Sequence, residues 1–363
     1  MSVATSPIAT EASLRPVRVW LYVIAVMVVA MVVIGGATRL TDSGLSITEW
    51  RPIAGAIPPL DAADWAVAFD KYRQTTEYQT INRGMSLGDF QFIYWWEWGH
   101  RQWGRLLGIA FAVPLAWFWA TGRLTPWLKP RLVLLLLAGG LQGVIGWWMV
   151  RSGLVNRVDV SQYRLATHLT MASLIFAYAL WLARSTLQRA PVAGPSWQAA
   201  GMTALVVSQI ALGGLVAGMD AGLAWNTWPL MDGAIVPGGL WPSGELAHLF
   251  SDGKTVQFVH RMSAYLVWGA ALAHLVHALV FVRGRYLAGA AVLFGLVTVQ
   301  ALIGIVTLVL QVPLVWALLH QVGAIVVLGA AILHWRAASA LPRAIDTADA
   351  RRAEPLSPGL RTA

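Results

Sequence analysis

The chain has 363 residues, 57% of them hydrophobic and only 12% charged, with no cysteine. A soluble domain carries about a quarter charged residues, so this composition, at a mean hydropathy of +0.61, excludes a soluble enzyme and indicates a polytopic membrane protein. Without cysteine, thiolate-bound haem, iron–sulfur clusters, thiolate zinc and disulfides are excluded too.

In chain order, residues 1–18 form a short hydrophilic segment with no small-residue cleavage site after an apolar core, which argues against a removed signal peptide. Apolar stretches of bilayer-crossing length, about 20 residues, follow near 19–38, 98–120, 131–150, 163–183, 198–218, 256–281, 286–310 and 314–335. The segment 40–95 is too long for a connector, and amphipathic stretches near 61–81 predict helices over an outer pocket. The net charge of +9 is a topology signal rather than a nucleic-acid footprint. Arg15, Arg18, Arg123, Lys129, Arg131, Arg184, Arg189, Arg283, Arg285, Arg336, Arg343, Arg351 and Arg352 fall on one side if eight spans alternate. That places both termini in the cytoplasm and turns 40–95 and 219–255 outward. The tail, 337–363, is charged and proline-containing and is expected to be disordered.

The chain repeats itself. Gly35-Gly36 matches Gly213-Gly214, and the register holds through Asp42/Asp220, Gly44/Gly222, Trp50/Trp228 and Pro59/Pro237. Spans two and six match at His100-Arg101 and His260-Arg261, and spans three and seven at Gln142…Gly146 and Gln300…Gly304. Four spans restore the orientation, so the repeat is parallel. The expected fold is an all-α membrane protein of eight transmembrane helices in two four-helix bundles, 19–190 and 191–336. The bland reading of the repeated Gly and Gln residues is helix packing. Gly44 and Gly222 are expected to make turns that Asp42 and Asp220 cap.

His100, His168, His260 and His320 each fall within the first two turns of an outward-starting span by this reading. Two facing imidazoles per bundle suit axial ligation of a haem iron. Arg101 and Arg261, with Arg105 as a weaker candidate, would pair haem propionates; the plainer reading is interfacial snorkelling. His274 and His334 lie fourteen residues past His260 and His320, the spacing of a second haem layer, which keeps a cytochrome b-type dihaem electron carrier as an alternative. Pro114 and Leu182 occupy the corresponding first-half positions. His277 looks interfacial and His248 loop-borne.

Glu97 lies one turn before His100, and its counterpart is Gln257. A carboxylate near a helix N-terminus is favoured by the dipole, but an intramembrane acid retained in one half only points to chemistry. Glu97 would accept a proton or stabilise a cation beside a haem on His100 and His168, while the second half holds a permanent electron-transfer haem.

The run Gly35-Gly36-Ala37-Thr38-Arg39-Leu40-Thr41-Asp42-Ser43-Gly44-Leu45-Ser46, with Trp50-Arg51-Pro52, Glu97-Trp98-Gly99-His100-Arg101, Asn226-Thr227-Trp228-Pro229 and Phe258-Val259-His260-Arg261, resembles the haem A synthase family over about residues 18–336. The resemblance implies oxidation of the C8 methyl of haem O to a formyl group by successive hydroxylations. It implies haem b on His260 and His320, substrate haem O on His100 and His168, and Glu97 as the catalytic acid. It also implies a bacterial inner-membrane location, with haem O synthase and oxidase assembly factors as partners and no nucleic acid. Some bacterial members carry a cysteine pair in the outer loops; this chain has none and looks like the alphaproteobacterial and mitochondrial branch. The electron acceptor, the oxygen source and whether the chain forms a homo-oligomer are left open, as is a third reading as a haem transporter.

Overall fold

The computed structural model describes residues 14–154, 157–187, 193–242 and 244–339. Arg189, and residues 340–363 of the tail with Arg343, Arg351 and Arg352, lie outside the described residues, while Ala337 and Ala338, expected in that tail, end the last helix. The α-helices in chain order are α1 (Arg15–Leu40), α2 (Ala62–Tyr72), α3 (Thr76–Thr80), α4 (Leu87–Ala120), α5 (Leu128–Gly153), α6 (Gln162–Ser185), α7 (Ser196–Gly218), α8 (Gly253–His277), α9 (Gly284–Val309) and α10 (Leu314–Ala338). Among the described residues eight helices, all but α2 and α3, are long and apolar enough to cross a membrane.

One boundary differs from the sequence expectation. Helix α4 begins at Leu87, not near 98, because Ser86 and Asp89 form a reciprocal capping box there. The eleven added residues extend the helix by about 16 Å at 1.5 Å per residue. Phe90, Ile93 and Tyr94 on this extension bury against Phe69 and Tyr72 of α2, with Phe69 stacked on Phe90 at 4.9 Å between centroids. His100 therefore sits thirteen residues past the first residue of α4, whereas His168, His260 and His320 sit six or seven into their helices. Glu97 lies ten residues past Leu87, well beyond the first turn over which a helix dipole acts. The dipole does not account for it.

Helices α1, α4, α5 and α6 pack each against the next in a closed ring, and α7, α8, α9 and α10 form a second ring. The rings meet where α6 lies on α7 and α10, and α1 on α10. The main core runs along this joint, through Val28 and Val32 of α1, Phe176 and Leu180 of α6, Val206 and Ile210 of α7, and Ile325 and Leu328 of α10. Lipid is as apolar as leucine, so such helices associate through close packing rather than through the hydrophobic effect, and small residues let them approach. Gly214 is one such point, since a Cβ there would meet Ala166 Cα at 2.8 Å.

The connections after α1 and α7 also match. The turn expected at Gly44 and Gly222 is carried by Asp42 and Asp220, both left-handed at φ 49, a conformation that Asp tolerates. Arg39 donates to the Asp220 carboxylate at 2.6 Å and to the Ala217 carbonyl, tying the end of α1 to the end of α7.

Gly214→Ala should lower the thermal midpoint of the detergent-purified protein, at a cost of about 1–3 kcal/mol for overpacking a joint between helices. Gly140→Ala, which meets nothing within 4 Å, is the control. Equal midpoints for the two variants would contradict this account of the joint.

Candidate functional site

The paired histidines come from opposite corners of each ring, His100 on α4 and His168 on α6, His260 on α8 and His320 on α10. His100 lies within electrostatic range of His168, and His260 of His320. Each ring rests on a glycine of the helix preceding its own span. A Cβ at Gly35 would meet His100 at 3.0 Å, one at Gly146 would meet His168 at 3.0 Å, one at Gly213 would meet His260 at 3.3 Å, and one at Gly304 would meet His320 at 2.6 Å. The glycines are needed because the imidazoles occupy the space a side chain would fill. Their neighbours serve the joint between rings. A Cβ at Gly36 would collide with Gln321 of α10, whose amide donates to Val32 O at 3.1 Å. Gln321 follows His320 and Gly36 follows Gly35, so this contact links the two histidine sites.

Three histidines are also held by a glutamine. Gln142 donates to His168 O at 3.0 Å, Gln209 to His260 O at 3.1 Å and Gln300 to His320 O at 2.7 Å. Each amide nitrogen also lies against a ring nitrogen of the same histidine, at 3.0–3.1 Å. All three amide oxygens are buried acceptors without a partner. The sequence reading assigns Gln142 and Gln300 to packing and does not single out Gln209. Its signal was present, since Gln209 precedes Gly213 by the spacing that separates Gln142 from Gly146 and Gln300 from Gly304.

The arginines of the His-Arg steps clamp the loops. Arg101 donates to Ile47 O at 2.8 Å and Glu49 O at 2.9 Å, and Arg261 donates to Trp225 O at 2.5 Å and Thr227 O at 2.8 Å. Arg105 holds Arg51 O at 3.0 Å and Pro52 O at 2.9 Å. Most of these donors are thus committed to loop carbonyls, while Arg261 Nε is buried without a partner.

The acid and its amide counterpart meet opposite loop polarity. Glu97, 2% exposed, accepts from Ser46 Oγ and Ile47 N, each at 2.7 Å, and from Arg101 at 2.6 Å. Gln257 donates to Ala221 O and Ala224 O, each at 2.7 Å, and accepts from Arg261 at 3.0 Å. The first loop presents donors where the second presents carbonyls. A carboxylate is accommodated in one half and an amide in the other.

His274 and His334 do not form a second layer. Their Nε2 atoms are 3.0 Å apart and their rings meet at 5.2 Å, with Tyr286 against both. A porphyrin has no room between them. His277 packs on Phe281, and His248 lies in the short turn Leu246–Leu249.

The site fits an iron porphyrin. Two imidazoles on diagonal helices, each with a glycine beneath its ring, are what two axial ligands require. Among the described residues no group of three or more His, Asp or Glu side chains suits another metal.

A sequence profile of the family described as "Cytochrome oxidase assembly protein" matches residues 18–332. A protein of Chelativorans sp. (strain BNC1) named "Heme A synthase" is 54% identical over 346 residues, covering 92% of this chain and 94% of that protein. Proteins of the same name from Rhizobium meliloti (strain 1021) and Brucella anthropi are 51% and 53% identical, covering 90% and 89% of this chain and 91% and 92% of theirs.

Helices α2 and α3 cap this end of α4. Glu77 of α3 is buried, accepts from Tyr72 at 3.1 Å, and has its pKa pushed up to about 8, first by burial and further by the charges of Glu97, Asp42 and Asp159. A carboxyl raised by folding is stabilising when protonated, so stability is full below its ordinary value of 4.5 and declines as pH rises toward 8. Hydrogen exchange across residues 62–80 should accelerate between about pH 5 and pH 8 beyond the intrinsic rate, and Glu77→Gln should remove that excess. A pH-independent excess in the unmodified chain would contradict it.

Proposed function

The chain belongs to the cytochrome oxidase assembly protein family and, with its haem A synthase relatives, is an oxidoreductase of haem A biosynthesis; we propose that it converts the C8 methyl of haem O into a formyl group. The observation that carries the assignment of roles is the acid in one half only, beside one of two matched histidine pairs.

Substrate haem O is assigned to His100 and His168 in the unit 19–190, and resident haem b to His260 and His320 in the unit 191–336. Haem b supplies a redox centre that passes on electrons one at a time. Methyl to formyl takes two successive two-electron oxidations, so charge builds up at the substrate edge and must be offset there. Glu97 provides the offset. Its protein partners all donate, and Arg101 fixes it by one oxygen. The same carboxylate is assigned as the proton acceptor. Arg101, Arg105 and Arg261 hold the loops over the two sites and are the cationic partners proposed for the propionates, Arg261 through its unpaired Nε.

Gln321, beside His320, donates to Val32 O of α1, a packed connection between the two histidine sites. The arginine distribution supports cytoplasmic termini and a bacterial inner-membrane location, with haem O synthase and oxidase assembly factors as partners. A cytochrome b-type carrier gives no role to an acid in one half only, and the closed His274–His334 pair removes its second layer.

The test is to express the chain with a haem O synthase in a host lacking its own haem A synthase and to analyse the extracted haems by mass. The unmodified chain should yield haem A and its hydroxylated intermediate. Glu97→Gln should retain haem b and lose both products. Product at the unmodified level from Glu97→Gln would return the acid to a structural role.

A further inference from the structure

The four histidines share a glycine seat but not a glutamine. The position that aligns with Gln209, by the match of Gly35 with Gly213, is Met31. Met31 lies against α4 as Gln209 lies against α8, with its Cε 3.2 Å from where a Cβ of Gly104 would be. A thioether cannot donate a hydrogen bond, so neither the carbonyl nor the ring of His100 receives the amide contact that the other three histidines share.

The ring of His100 is also turned differently. His168, His260 and His320 approach their seats through Cε1, at 3.0, 3.3 and 2.6 Å, with Nδ1 next nearest. His100 approaches Gly35 through Nε2 at 3.0 Å, with Cδ2 next at 3.5 Å. Relative to the other three the imidazole is flipped about its long axis, which a glutamine amide against the ring would oppose. Missing amide and turned ring are separate observations at the same residue.

Resting on the haem assignment made above, we propose that His100 is the releasable axial ligand and that Met31 is the positioning residue that makes it so. An iron porphyrin in the first site is anchored by His168, which Gln142 grips, and enters or leaves as the bond to His100 forms or breaks. In the second site Gln209 and Gln300 hold both ligands, and the porphyrin stays. Outer-shell hydrogen bonds to a metal-bound histidine change metal affinity by about 10–100-fold, enough to separate a passing ligand from a resident one. The asymmetry is set in α1 and α7, one helix away from the ligands, and is independent of the acid on α4.

The test uses the full chain in detergent with both sites loaded with haem, reduced with dithionite, and carbon monoxide as the probe of an axial bond that opens. Total haem is measured as the pyridine complex. In the unmodified chain one of the two haems should bind carbon monoxide. Met31→Gln should slow that binding about tenfold or more at unchanged haem content, and Met31→Leu should leave it as it was. Gln209→Met should make the second haem reactive. If Met31→Gln does not fold, Gln209→Met carries the test alone, and an unreactive second haem in that variant overturns the proposal. Equal carbon monoxide binding in the unmodified and Met31→Gln chains, both fully loaded, overturns it while leaving the haem sites standing. A chain supplied with haem O as well as haem b that still holds two haems after His168→Ala overturns the site assignment and the proposal together.

Discussion

Each imidazole of the two histidine pairs rests against a neighbouring helix at a point where any side chain would displace it. Gly35, Gly146, Gly213 and Gly304 each leave room for one ring and nothing more. This close approach orders the rest of the structure. It fixes the spacing of α1 to α4, α5 to α6, α7 to α8 and α9 to α10, and so places the histidine-bearing helices on the diagonals of their rings. It also explains why glycines occur as pairs in α1 and α7. One member seats a ring, and the next lets the other half of the molecule approach.

On that common frame the two halves are made different by small changes in polarity. A carboxylate facing Ser46 and Ile47 replaces an amide facing Ala221 and Ala224, and a thioether replaces the glutamine that holds the fourth histidine. Neither change alters the backbone plan, since Arg101 and Arg261 clamp matching carbonyls in both loops. An inert cofactor site and a reactive substrate site can therefore share one architecture.

Much of this was legible in the sequence because the matched residues are ones hydrophobicity does not explain. The His-Arg steps, the glycine pairs and Glu97 against Gln257 stood out as exceptions in an apolar background, and eight spans followed from length alone. Less legible was whatever depends on side-chain direction. The extension of α4 to Leu87 was hidden because polar residues among the aromatics lowered its apolarity, while a capping box and the α2 contact hold it. That Arg101 and Arg261 also hold the loops was not legible, because loop carbonyls have no signature in sequence. His274 and His334 had the spacing of a haem layer, but α8 and α10 converge there until the rings touch.

The central claim is that one site keeps its porphyrin and the other exchanges it. Haem b content per chain, measured after expression in a host that makes no haem O, tests this most directly. The account predicts a single haem b that is lost in His320→Ala and retained in His168→Ala. Retention in His320→Ala with loss in His168→Ala would contradict it, by placing the resident haem beside the acid.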